Sequence, residues 1–194
     1  MVYNRKNHRR ARWVIIISIW TFCFAIILGY IAHYTLNELQ SIGMSFLILL
    51  MVVALGIIFD IVGTAAAAAK LAPLNAKAAC KAPGSKKGVY LVKNADRVAN
   101  FCNDVAGDIS GIISGTLATI IVFKLVVNLS YNQAEFYLGI LLTALVAALT
   151  VGGKAWGKGI AINHSTEVIM LVGLFITRLE KPLGWFQKSS KNSG

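Results

Sequence analysis

The sequence predicts an all-α, polytopic membrane protein with about four membrane helices. Three observations lead there: long uncharged apolar runs, a shortage of charged residues, and basic residues gathered in alternate connecting segments. Of 194 residues, 57% are hydrophobic and 14% charged. A soluble domain usually carries about 45–50% apolar and roughly 25% charged residues. The mean hydropathy of +0.67 points the same way.

Residues 13–32 (WVIIISIWTFCFAIILGYIA) form the first apolar stretch and carry no charge. A run of about 20 such residues crosses a hydrocarbon core of roughly 30 Å. The basic residues before it, Arg5, Lys6, Arg9, Arg10 and Arg12, would also suit a signal peptide. The apolar run is too long for one, and no Ala-x-Ala-like cleavage site follows, so an uncleaved anchor is expected. Further apolar stretches cover residues 45–69, 98–127 and 137–152.

The connecting segments alternate in charge. The tail 1–12 holds five Lys/Arg, segment 70–97 holds seven and residues 154–194 hold six, while segments 32–44 and 128–136 hold none. This is the positive-inside pattern, and it predicts a multi-pass protein of the cytoplasmic membrane with both termini cytoplasmic. The nineteenth basic residue, Lys124, is expected to snorkel near the outer end of its span. The net charge of +11 therefore speaks for an anionic bilayer. Nucleic acid is not an expected partner, because the basic residues lie apart without interleaved aromatics.

Segment 70–97 has apolar residues at helical intervals (Leu71, Leu74, Ala78), a break at Pro83-Gly84 and a second short run, Val89 to Val92. Two interfacial cytoplasmic helices are expected, with Lys77, Lys81, Lys86 and Lys87 facing lipid headgroups. After Gly159 a further helix is expected, with Asn163 as its N-cap and Glu167 in its first turn. Only ten uncharged residues separate Glu167 from Arg178, so this helix reads as interfacial or buried. Pro182 is expected to stop it, Trp185 and Phe186 suit an interface, and residues 188–194 read as a flexible tail.

The candidate chemistry is polar groups inside apolar helices. Asp60 lies deep in the second stretch, where an ionised carboxylate is costly unless it meets protein, water or an ion. It either serves an ion or fixes helix packing. Gly63, Thr64 and five alanines follow, and small residues allow close helix approach. In the third stretch Asn100, Asp104, Gly107, Gly111 and Ser114 recur every three or four residues, and Asp104 and Asp108 are one turn apart. The glycines at 107, 111 and 115 read as close packing alone. In the fourth stretch Gly152, Gly153, Gly157 and Gly159 are expected to break the helix around Lys154 and Lys158. Lys154 either pairs with Asp104, Asp108 or Asp60 or snorkels at the inner interface, and Lys158 is expected to snorkel.

Asp60, Thr64, Asn103, Asp104, Gly107 and Asp108 thus form an expected hard-oxygen set, suited to Mg²⁺ rather than zinc. Lys154 is its expected gate or counter-charge. The three cysteines fit neither a disulfide framework nor a CxxC metal site. Enzyme motifs such as GxSxG, HExxH and Walker A are missing, and the three histidines fall on separate segments, so no enzyme is expected. A lipid-headgroup enzyme using Asp104 and Lys154 would lack a nucleophile with a positioned base.

Over about residues 55–187 the chain resembles the transmembrane domain of the CorB/CorC and cyclin M (CNNM) magnesium transporter family. IFDIVGTAA is similar to that family's Phe-x-Ser-Gly-Ser-Glu-Thr-Ala-like run, with Asp60 near the first Ser, Gly63 at Glu and Thr64 at Thr. NADRV stands where the basic loop ends in a Pro-Glu/Asp-Arg-like turn. VAGDISG resembles the Gly-Asn motif through Gly107 and Asp108. GKAWGKGIA resembles Gly-Glu-x-x-Pro-Lys-x-x-Ala through Gly153, Lys158 and Ala161, with Lys154 at the Glu and Gly157 at the Pro. The resemblance is to short CorB-like proteins without CBS domains.

It implies an organisation of basic tail 1–12, added anchor and outer loop 13–44, and a three-helix core domain 45–187 containing loop 70–97. It also implies a homodimeric transporter of Mg²⁺ or Co²⁺ with an altered ion site. The alternative on the same fold is a non-transporting scaffold, a regulatory protein or a binder of anionic lipid.

Overall fold

The structure is a computed structural model, and it describes residues 2–38, 41–127 and 132–190. The described residues are almost entirely helical, in the order α1 (Val2–Glu38), α2 (Ile42–Ala68), α3 (Leu71–Ala79), α4 (Ser85–Lys93), α5 (Ala95–Ala99), a π-helical segment (Asn100–Gly107), α6 (Asp108–Val127), α7 (Asn132–Asn163) and α8 (Ser165–Ser190). Three continuous helical stretches are long and apolar enough to cross a membrane: Ile42–Ala68, Ala95–Leu125 and Tyr137–Asn163. The expected first span lies in α1, where the described side chains give a shorter apolar stretch, Ile15–Ile31. The side chains of tail 1–12 and of Trp185 and Phe186, and all of residues 191–194, lie outside what the structure describes.

The chain forms two compact units. The first comprises Met1–Ala54 and Asp108–Thr150. Here α1 packs on α6, and Ile109, Ile113, Leu117, Ile121 and Val122 of α6 are buried. Met44, Leu47, Leu50 and Met51 of α2 and Tyr137, Ile140, Leu141 and Leu145 of α7 are exposed. Water would penalise so much apolar surface, whereas hydrocarbon does not. Gly111 and Gly115 have nothing within 4 Å of where a Cβ would point, so among the described residues neither makes the expected GxxxG packing.

The second unit comprises Leu55–Gly107 and Val151–Gly194 and carries the candidate site. Its core is Ala65, Ala66, Leu74, Ala161 and Ile169, all fully buried. The alanines that follow Gly63-Thr64 therefore serve as small core residues at the end of α2. The two short helices expected in segment 70–97 are α3 and α4. Helix α3 closes with Ala82 N–H donating to the Lys77 carbonyl (3.0 Å), which places Lys81 in the left-handed region at φ 55. Gly84, at φ 81, then starts α4, and the Ser85 hydroxyl donates to the Ala82 carbonyl at 2.6 Å.

Helix α4 packs on α8 through backbone contact. A Cβ on Gly84 would stand 2.4 Å from the Leu174 nitrogen, and one on Gly173 would stand 2.3 Å from the Gly84 carbonyl oxygen. These glycines act as contact surfaces. The exposed Lys87 and Glu180 join the same two helices in an ion pair with Nζ and Oε1 2.5 Å apart, so one of the four lysines expected to face lipid has a protein partner.

Two expected breaks are absent. Helix α7 runs unbroken through Gly152, Gly153, Gly157 and Gly159. Helix α8 continues past Pro182 to Ser190, so residues 188–190 of the expected tail are helical. Glycine lowers helix propensity by only about 1 kcal/mol per residue, less than the packing it permits. Proline removes one hydrogen bond and kinks a helix, but an element already several turns long can propagate through it.

Candidate functional site

Three elements of the second unit build the site. The first is one face of α2. Gly56, Asp60 and Gly63, spaced at four and three residues, are all buried. Asp60 is only 4% exposed, and its Oδ2 atom is buried without a hydrogen-bond partner among the described residues. Thr64, next on this helix, is half-buried.

The second element is the π-helical segment. Its wider turns replace the α-helical spacing assumed for Asn100, Asp104 and Gly107. Cys102, Val105, Ala106 and Gly107 are buried while Asp104 is exposed. Asn103 lies against α2 where Gly63 lacks a side chain. A Cβ on Gly63 would stand 2.1 Å from Asn103 Oδ1, itself buried and without a donor among the described residues. Gly63 lies three residues beyond Asp60 on the same helix face, so the two unsatisfied oxygens line neighbouring positions.

The third element is α7. It approaches α2 through Gly153 and Gly157, whose added Cβ atoms would meet Ile57 Cδ1 at 2.3 Å and Ile61 Cγ1 at 2.7 Å. This approach brings two lysines to the site. Lys154, half-buried, donates from Nζ to the Gly107 carbonyl at 3.3 Å. Lys158 Nζ stands 4.0 Å from Asp60 Oδ2, and its side chain is 54% exposed.

The structure thus gathers Asp60, Asn103, Gly107, Lys154 and Lys158. Asp108 is exposed, takes part in an interaction, and belongs to the first unit. The lysine beside Asp60 is Lys158, which the sequence suggested would only snorkel. The pointer to it was the four-residue repeat of a glycine followed by a lysine, Gly153-Lys154 and Gly157-Lys158. In a helix this repeat puts small contacts and ammonium groups on adjoining faces.

Chemically the site offers one carboxylate and one carboxamide oxygen to a positive or donating group. Among the described residues no group of three or more His, Cys, Asp or Glu side chains is placed to hold a metal. The oxygens present there are the Asp60 carboxylate, the Asn103 carboxamide and the Gly107 backbone carbonyl. Two lysines already bring positive charge to them.

No family model, curated protein or solved structure matches the chain.

Proposed function

We propose that the chain is a polytopic membrane protein that handles a hard divalent cation, Mg²⁺ or a similar ion, through an altered site. The observation that carries this reading is the pair of buried, unsatisfied oxygens, Asp60 Oδ2 and Asn103 Oδ1, within apolar helices. Buried acceptors without donors are costly and call for a partner. In this reading a partly dehydrated cation takes that place. Lys158 is the mobile counter-charge: it is exposed and stands beyond hydrogen-bond distance from Asp60. When the cation enters, like-charge repulsion moves the ammonium outward; when the cation leaves, the ammonium returns. Both termini face the cytoplasm in this proposal, following the Lys/Arg distribution. The working form is a homodimer, on the family resemblance alone.

A second reading rests on the Lys154 to Gly107 hydrogen bond. Here Lys154 is a permanent internal cation, and the chain is a non-transporting membrane scaffold. Purified protein in liposomes loaded with a Mg²⁺-sensitive dye separates the two. Transport predicts an Mg²⁺-dependent signal that Asp60→Asn abolishes. A signal equal to that of empty liposomes selects the scaffold.

A further inference from the structure

A groove of about 860 Å³ opens in the second unit, separate from the Asp60 site. Leu55, Ile58 and Val62 of α2, Phe101 of the π segment, and Val172 and Phe175 of α8 supply its apolar wall. Ile58, Phe101 and Phe175 are more than half exposed, so the wall is open to what surrounds the protein. The polar part of the lining comes from Tyr90, Asn94 and Arg97. The Asn94 amide is committed to the Tyr90 carbonyl at 2.9 Å. The Arg97 guanidinium has no ion-pair or hydrogen-bond partner among the described residues. Segment 70–97, which ends on Arg97, holds seven basic residues and a single acid, Asp96.

We infer that this groove is a binding site for one anionic phospholipid, with an acyl chain along the apolar wall and the phosphate on Arg97. The size falls within the roughly 300–1,000 Å³ of small-molecule sites, and one charged group among apolar side chains is their usual makeup. Charge complementarity selects the occupant. A fork of guanidinium donors matches a phosphate, and a strongly basic surrounding segment favours headgroups of net negative charge. The inference rests on the chain lying in a bilayer and is independent of transport.

The test is native mass spectrometry of the full chain in detergent, titrated with phosphatidylglycerol or phosphatidylcholine of identical acyl chains. Wild type should retain phosphatidylglycerol in preference, and Arg97→Gln should lower that preference about five- to tenfold. Arg97→Lys should restore part of it. Ile58→Trp, at an exposed wall position, should reduce retention of both lipids. Three results overturn the inference: unchanged preference in Arg97→Gln, an equal loss in Lys77→Gln, which would mean diffuse charge, or intact lipid retention with a lost dimer in Ile58→Trp, which would make a second copy the occupant.

Discussion

Lys158 Nζ stands 4.0 Å from Asp60 Oδ2, beyond a good hydrogen bond, with the carboxylate buried and most of the lysine in the open. In the proposed transport reading this looser approach is that of a counter-charge that leaves and returns. Lys158→Met should therefore raise Mg²⁺ uptake at low Mg²⁺ several-fold in dye-loaded liposomes, by removing the competitor. A fall in uptake to the Asp60→Asn level would show that Lys158 helps the cation instead.

A packed and an open glycine of α7 allow a paired comparison. Gly157→Ala forces a methyl to 2.7 Å from Ile61 Cγ1, whereas Gly159 faces open space. Gly157→Ala should destabilise by about 1–3 kcal/mol through overpacking, and combined with Ile61→Ala, which removes the clashing atoms, it should cost less than the sum of the two single changes. Gly159→Ala should be neutral or stabilising by up to about 1 kcal/mol. Thermal unfolding in detergent reads both, and equal effects at the two positions would mean that α2 and α7 do not meet through Gly157.

Much of this fold is readable from composition and periodicity. The apolar runs set the membrane-length helices, and Pro83-Gly84 marks the turn between α3 and α4 because only glycine adopts φ 81 without strain. What escaped is the effect of tertiary contact on local signals. Gly153 and Gly157 read as helix breakers until Ile57 and Ile61 stand against them. Gly173 carries no local signal at all, because its role depends on Gly84, far away in sequence. The π segment was hidden because Asn100, Asp104 and Gly107 fit an α-helical stripe equally well, and residue spacing cannot announce a change of hydrogen-bond register. Of the candidate site, the residue types were legible, and the choice of Lys158 over Lys154 beside Asp60 was not.

Lys81 occupies the left-handed region at φ 55 where α3 ends. For a residue with a Cβ this conformation costs roughly 1–2 kcal/mol. Glycine removes that cost and loses part of the gain to its greater freedom when unfolded. Lys81→Gly should therefore raise stability by about 0.5–1 kcal/mol, seen as a higher unfolding temperature. A lower one would mean that the Lys81 side chain holds the turn through contacts stronger than its strain.

Gly63 and Asn103 supply the most direct test of the site's geometry. Any side chain at position 63 collides with the carboxamide, since a Cβ would reach 2.1 Å from Oδ1 and 2.7 Å from Cγ of Asn103. Gly63→Ala should therefore destabilise by about 1–3 kcal/mol and expel Asn103, and in the proposed transport reading it should reduce Mg²⁺ uptake as well. Asn103→Ala removes a buried acceptor that has no donor, so its stability cost should be small. The double variant should be more stable than Gly63→Ala alone, because the alanine methyl then fills part of the space the carboxamide vacated. Uptake should stay low in the double variant, since the second oxygen is gone. That split, stability recovered and transport not, would separate Asn103 as a cation ligand from Asn103 as packing. Recovery of both together would reduce the site to Asp60 alone.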